Sequence, residues 1–299
     1  MTKDLQFPPR PPDGHKGTFG SVCVIGGSRS EDGAVMIGAP TLAANGAMRS
    51  GCGKVMLAMP QTLLPAGLTM APVVTGIELP VDEVGRLMPS PAVESLDTHA
   101  ASCRCLAIGP GLGCEWPQQQ LVASLLSRED RPIVLDADGL NALAQLEAGH
   151  LELRAPAIFT PHIGEYRRLA ERMKIDVDPA DQRSAAEALA QAFGCVVVLK
   201  SANTVVSDGV RTENLECGGV VLATGGSGDV LTGIIAGMLA QFGVNCNEHL
   251  FDAAILGVQI HARAGQMFES ASGNTGMIAT DLLESIPSAI SVLKSESNG

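Results

Sequence analysis

Short apolar runs that end in glycine, proline or a polar residue alternate along this chain with longer stretches of helical spacing. Residues 21–25 form a strand candidate that stops at Gly26-Gly27-Ser28, and 54–58 another after a small-residue helix over 38–50. Strands are predicted at 105–108, ending in Gly109-Pro110-Gly111-Leu112-Gly113, and at 132–135, ending in Asp136-Ala137-Asp138. A further strand at 157–159 ends in Thr160-Pro161-His162-Ile163-Gly164-Glu165. A helix over 180–193 then feeds the β-branched run 195–199, and two shorter strands, 204–207 and 210–213, flank an Asp208-Gly209 turn. From Ser227 onward the spacing is almost all helical. Strands alternating with helices predict an α/β fold with a mainly parallel central sheet covered on both faces. No linker interrupts the pattern, so residues 1–299 are expected to form one domain behind a proline-rich arm over 1–17.

Polar or glycine-rich clusters follow five of the strands, at Gly26, Gly109, Asp136, His162 and Lys200. Turn chemistry accounts for any one of them. Five together place a ligand crevice at the carboxyl ends of the strands.

The strongest chemical signal is Thr224-Gly225-Gly226-Ser227-Gly228-Asp229, followed at once by the apolar run from Val230 to Leu239. Glycines free backbone N–H groups to face an anion, and the N-terminus of the following helix carries partial positive charge. Gly225, Gly226, Ser227 and Gly228 therefore read as an anion cradle. Asp229 reads either as a carboxylate complementing the helix dipole or as a general base beside the bound anion. Known phosphate motifs do not explain the cradle. Cys114 breaks Gly-x-Gly-x-x-Gly after Gly109, Leu231 breaks it after Gly226, and Gly53-Lys54-Val55 lacks the Walker hydroxyl.

The remaining candidates keep two readings each. Lys200, at a strand end before Ser201-Ala202-Asn203-Thr204, is a phosphate-binding cation or a solvated lysine. His162 contacts a ligand or is an ordinary loop histidine; no second histidine stands at metal spacing. Glu165 holds Mg²⁺, directly or through water, or belongs to the first turn of a helix. Asp136 and Asp138 form a second carboxylate pair, with Asp138 an alternative helix N-cap. His261 and His249 lie in helical context and read as packing or surface residues.

Composition narrows the partners. The net charge of −12 disfavours nucleic acid and anionic membranes. Aromatic residues are only 3% of the chain, so a pocket has few stacking groups. Eight cysteines, without a Cys-x-x-Cys pair, read as small buried thiols in a reducing cytosol. The polar N-terminus gives no signal peptide, and no apolar run reaches the roughly 20 residues of a membrane span. These features predict a soluble cytoplasmic protein, and the apolar helices of the last third leave room for a homo-oligomer interface.

The ordered set of motifs resembles the ADP-dependent NAD(P)H-hydrate dehydratases of the ribokinase-like superfamily. It runs from His15-Lys16-Gly17-Thr18-Phe19-Gly20 through Gly26-Gly27-Ser28, Gly38-Ala39, Ala47-Met48-Arg49-Ser50-Gly51 and Ile108 to Gly113. It continues with Leu135-Asp136-Ala137-Asp138-Gly139-Leu140-Asn141, the Thr160–Glu165 loop, Lys200-x-x-x-Thr204 and the Gly225–Asp229 loop. The resemblance implies repair of hydrated NADH or NADPH: ADP phosphorylates the hydroxyl, phosphate leaves, and AMP is the coproduct. It implies that Ala39, Gly111, His162 and Asp229 touch the hydrated cofactor. Lys200, Ser201, Ala202, Asn203, Thr204 and Gly228 would touch the adenine nucleotide, Asp229 would be the base, and Mg²⁺ would accompany the nucleotide. Related sugar kinases tend to carry Asn where this chain has His162, which points away from them. The family often carries a fused epimerase domain, and the resemblance implies that a separate epimerase serves this chain. Two other readings stand beside it: an ATP-dependent ribokinase-like kinase of a small alcohol or vitamin precursor, and a nucleotide sensor without turnover.

Overall fold

The computed structural model describes residues 6–147, 152–216 and 219–297. The elements in chain order are β1 (Ser21–Ile25), β2 (Ser28–Arg29), β3 (Val35–Met36), α1 (Gly38–Arg49), β4 (Lys54–Pro60), α2 (Leu64–Met70), β5 (Thr75–Leu79), α3 (Pro89–His99), β6 (Cys105–Ile108), α4 (Trp116–Leu126), β7 (Ile133–Leu135) and α5 (Asp138–Gln145). The second half adds β8 (Ala157–Phe159), α6 (Ile163–Met173), α7 (Gln182–Phe193), β9 (Val196–Leu199), β10 (Asn203–Ser207), β11 (Thr212–Glu216), α8 (Ser227–Gln241), α9 (Leu250–Ser272) and α10 (Ala279–Ser297).

Nine strands form one sheet in the order β11-β10-β9-β8-β7-β6-β1-β4-β5. The seven from β9 to β5 pair in parallel, and β10 runs antiparallel to both its neighbours. The strand alternation splits the core into two faces. Val22 and Val24 of β1 pack with α1, α8, α9 and α10, whereas Cys23 and Ile25 pack on the side of α3 to α7. From β1 the chain first builds outward through β4 and β5, then crosses to β6 and builds the other way. The order therefore reverses between β1 and β6, where open α/β sheets leave a crevice. Gly26 after β1 and Gly109 to Gly113 after β6 border it.

Helix α8 lies across β1, β6 and β7 and against α1. This approach depends on missing side chains: a Cβ on Gly233 would stand 2.0 Å from the Ala43 carbonyl oxygen, and one on Gly46 would stand 2.7 Å from that of Val230. Gly233→Ala is expected to lower unfolding stability by roughly 2–4 kcal/mol, because its Cβ would meet the backbone of Ala43 and Ala47 rather than a side chain that can move. Urea unfolding measures it.

The sequence placed β1, β6 and β8 at their observed bounds and β4, β7, β9 and β10 within two residues, whereas β2, β3 and β5 were not foreseen. The last short strand is displaced: 210–213 was expected, and Thr212–Glu216 forms, since Asp208 first closes a turn onto the N–H groups of Val210 and Arg211. Of the eight cysteines, Cys217 lies outside the described residues; Cys23, Cys52, Cys103, Cys105, Cys195 and Cys246 are buried and Cys114 half-buried, all as free thiols. Among the described residues no helix is long and apolar enough to cross a membrane.

Candidate active site

The Gly225–Gly228 loop stands at the start of α8. Gly226, with φ of +87°, turns the chain into α8 as its N-cap. Among the described residues, the N–H groups of Gly225, Gly226, Gly228 and Asp229 have no acceptor, because the first bond into the helix runs from the Val230 N–H to the Gly226 carbonyl. Four unpaired donors at the positive end of a helix are the kind of arrangement that attracts an anion.

Lys200 reaches the same place from the end of β9. Its Nζ donates to Asp136 Oδ1 at 2.6 Å and lies 3.4 Å from where a Cβ on Gly228 would be. Asp136, only 1% exposed, also accepts from the Thr232 hydroxyl of α8 at 2.7 Å. One carboxylate thus ties the ends of β7 and β9 to the first turns of α8. Burial works against the Lys200 charge, but Asp136 and Glu165 outweigh it and hold the ammonium above its ordinary range.

Asp229 is treated differently. It has no hydrogen-bond or ion-pair partner among the described residues. Burial, with Asp136 adding repulsion against the opposing pull of Lys200, raises its pKa to about 7. An unpartnered carboxylate poised near neutrality beside four free amides and a lysine fits a general base.

His162 is the N-cap of α6 rather than a plain loop residue. Its Nδ1 accepts from the N–H groups of Gly164 and Glu165 at 2.9 and 3.3 Å, and Glu165 Oε2 accepts the His162 N–H at 2.8 Å. This is a capping box with imidazole in place of a hydroxyl. Burial, then Lys200, lowers the His162 pKa, so the ring is neutral with its proton on Nε2. The Glu165 carboxyl, raised by burial, is spent on the cap. Among the described residues no group of three or more His, Cys, Asp or Glu side chains forms a metal site. The expected Mg²⁺ role of Glu165 has no cage to join, and a Mg²⁺ here fits only as a companion of bound phosphates with waters in its shell. Asp138 is not the N-cap of α5. Ala137 is, with φ of +48°, and Asp138 Oδ2 accepts the Gly113 N–H at 2.9 Å. The strained turn aims Asp136 at Lys200 and Asp138 at the glycine loop after β6.

A cavity of ≈ 690 Å³ opens against these groups. Of the predicted nucleotide residues, Lys200, Ser201, Ala202, Thr204 and Gly228 line it, together with His162 and Ser227. Asn203 does not; it faces a separate hollow beside Arg183 and Asn214. Asp229, Gly225 and Gly226 lie next to the lining rather than in it. Ala39 and Gly111 meet elsewhere, at the β1–β6 crevice, where a Cβ on Gly111 would be 3.4 Å from that of Ala39 and 2.9 Å from that of Met36. The sequence reading missed the apolar wall of Val220, Leu222, Leu231 and Val258, and it missed His261. The available signal was an exposed Val220 just before the glycine loop, and Val258 and His261 one turn apart on α9.

A family model described as NAD(P)H-hydrate dehydratase matches residues 22–288. The chain belongs to the NAD(P)H-hydrate dehydratase family. It is 36% identical to the ADP-dependent (S)-NAD(P)H-hydrate dehydratase of Neisseria meningitidis, over 92% of this chain and 86% of that protein. It is 35% identical to the bifunctional NAD(P)H-hydrate repair enzyme of Salinibacter ruber, over 94% of this chain and 50% of that protein. The chain spans about half the length of the first bifunctional relatives it matches. Among solved structures, the ADP/ATP-dependent NAD(P)H-hydrate dehydratase of Bacillus subtilis, co-crystallised with ATP and Mg²⁺, superposes with a TM-score of 0.75 at 27% identity, covering 97% of this chain and 95% of that one. Ribokinase of Thermotoga maritima shares the fold alone, with a TM-score of 0.55 at 15% identity over 91% of this chain and 99% of that one. The dehydratase family and the ribokinase-like fold expected from the motifs are both borne out.

Proposed function

We propose that this chain dehydrates hydrated NADH or NADPH with ADP as phosphoryl donor, the hydroxyl being phosphorylated and the phosphate then expelled. The observation that carries the reading is Asp229: a largely buried carboxylate with no partner, its pKa raised to about 7, beside the free amides of the Gly225–Gly228 loop and the Lys200 ammonium.

The loop amides and Lys200 hold the phosphates and balance charge as it develops. Asp229 takes the proton of the substrate hydroxyl as its oxygen bonds to the terminal phosphorus and the bond to AMP breaks. Phosphate is a far better leaving group than hydroxide. Its C–O bond breaks with help from the ring-nitrogen lone pair, the adjacent carbon gives up a proton, and the reduced nicotinamide returns. Mg²⁺ would supply charge neutralisation on the phosphates. Adenine fits the apolar wall of Val220, Leu222, Leu231 and Val258, and the hydrated nicotinamide fits the Ala39–Gly111 crevice. The ADP-dependent relative and the co-crystallised ATP and Mg²⁺ of the Bacillus subtilis enzyme support this choice of nucleotide and metal. An epimerase activity that interconverts the two hydrate epimers is the expected functional companion.

Incubation with hydrated NADH and ADP is expected to restore reduced-nicotinamide absorbance with one AMP and one phosphate per NADH. Nucleotide consumption that yields a stable phosphorylated alcohol would favour the small-alcohol kinase. Because the base must be ionised, kcat/KM, followed as AMP formation, is expected to fall about tenfold per pH unit below about pH 7. A flat profile between pH 5.5 and 7 contradicts Asp229 as the base.

A further inference from the structure

His261 of α9 is a buried imidazole that the scheme above leaves unused, yet it stands in the wall of the nucleotide cavity beside Ser227. Its Nε2 is 3.0 Å from the Ser227 carbonyl oxygen and 3.0 Å from the Ser227 hydroxyl oxygen. A carbonyl oxygen only accepts, so Nε2 must carry the ring proton. Burial, which outweighs the opposing hydrogen bond to the Ser227 carbonyl, lowers the ring pKa to about 4 and keeps it neutral near pH 7. The same N–H then also faces the hydroxyl oxygen, which can only accept from it. The Ser227 hydroxyl proton has no acceptor among the described residues, although Ser227 is 5% exposed and lines the cavity with Lys200 and Gly228.

We infer that His261 is a positioning residue: by committing its Nε2–H to Ser227 it turns the Ser227 hydroxyl into a dedicated donor for a phosphate oxygen of the bound nucleoside diphosphate. The role rests on the nucleotide reading of the cavity. It adds a side-chain donor to the cradle of backbone amides, and it locks the first residue of α8 so that those amides stay aimed at the anion. The ligand group recognised is phosphate, not base or ribose, because an uncommitted donor beside an ammonium and free N–H groups selects an anionic acceptor.

The test compares ADP with adenosine by calorimetric titration of the wild-type protein and of Ser227→Ala, His261→Leu, His261→Gln and the double variant Ser227→Ala/His261→Leu. Loss of one hydrogen bond to a charged phosphate predicts ADP affinity about 10- to 100-fold lower in Ser227→Ala and in His261→Leu, with adenosine affinity unchanged. The double variant is expected to be no weaker than either single one, because the two residues act as one unit. His261→Gln, whose side-chain N–H can still reach the Ser227 carbonyl, is expected to stay within about threefold of wild type. Should His261→Leu fail to fold, Ser227→Ala and His261→Gln decide the question. Wild-type ADP affinity in Ser227→Ala, or an equal loss for adenosine and ADP, would overturn the inference. A wild-type protein that binds neither ligand would overturn the nucleotide reading itself, a different result.

Discussion

Asp229→Asn is expected to lower kcat by about 10³-fold or more while leaving ADP affinity within a fewfold of wild type, since general-base catalysis contributes roughly 10²–10⁴-fold. The carboxylate has no structural partner to lose, so the variant should fold. Its stability moves in a direction that a purely structural carboxylate would not give. The Asp229 pKa is about 7 in the folded chain, above the roughly 3.9 of an unfolded aspartate. Below pH 4 both states are protonated and the group costs the fold nothing. As pH rises through about 7, the native carboxylate ionises inside a partly dry site, and its stabilising contribution is lost. Asparagine stays neutral throughout. The variant is therefore expected to match wild type below about pH 4, to gain on it as pH rises from about 4 to 7, and to be more stable by roughly 1–3 kcal/mol at pH 8, with partial exposure and Lys200 keeping the gain below the full shift. Tm measured against pH checks it. A variant that retains turnover, or that is less stable than wild type at pH 8, contradicts the role given to Asp229.

The second large effect belongs to Lys200. Lys200→Met leaves Asp136, 1% exposed, with the Thr232 hydroxyl as its one remaining side-chain donor among the described residues, and stranding a buried charge costs about 3–5 kcal/mol. The double variant Lys200→Met/Asp136→Asn removes both charges and keeps an oxygen for Thr232. It is expected to recover most of the lost stability, measured by urea unfolding. Turnover should stay down by at least about 10²-fold in both variants, because the cation that balances the transferred phosphoryl group is gone. Had Lys200 only tied strand ends to α8, recovery of stability would bring activity back with it.

Most of the sheet was legible because its strands are short β-branched runs that end where the chain needs glycine or aspartate. What escaped has physical reasons. Strand β5 contains a glycine and alternates in burial at the sheet edge. Helix α2 carries both Pro65 and Gly67, and α3 starts with Pro89 and Pro91, residues that read as turn signals although proline is well placed in a first helical turn. At the site, Asp229 and the glycine loop were legible as a contiguous motif, and Lys200 as a strand-end cation. The Lys200–Asp136–Thr232 network was not, since its members lie 64 and 96 residues apart and only the sheet order joins them. His261 escaped for a related reason: inside an apolar helix it looks like packing until the fold sets it against Ser227. Asn203 shows the converse. It follows Lys200 closely in sequence, but β10 has begun by then and carries it away from the cavity.

The central claim is spatial, and a crystal structure of the protein soaked with ADP and Mg²⁺ tests it most directly. The account predicts the terminal phosphate against the N–H groups of Gly225 to Gly228, within reach of Lys200, with the Asp229 carboxylate facing the terminal phosphorus. Phosphates bound away from that loop, or a loop that folds shut with Asp229 turned from the nucleotide, would contradict it.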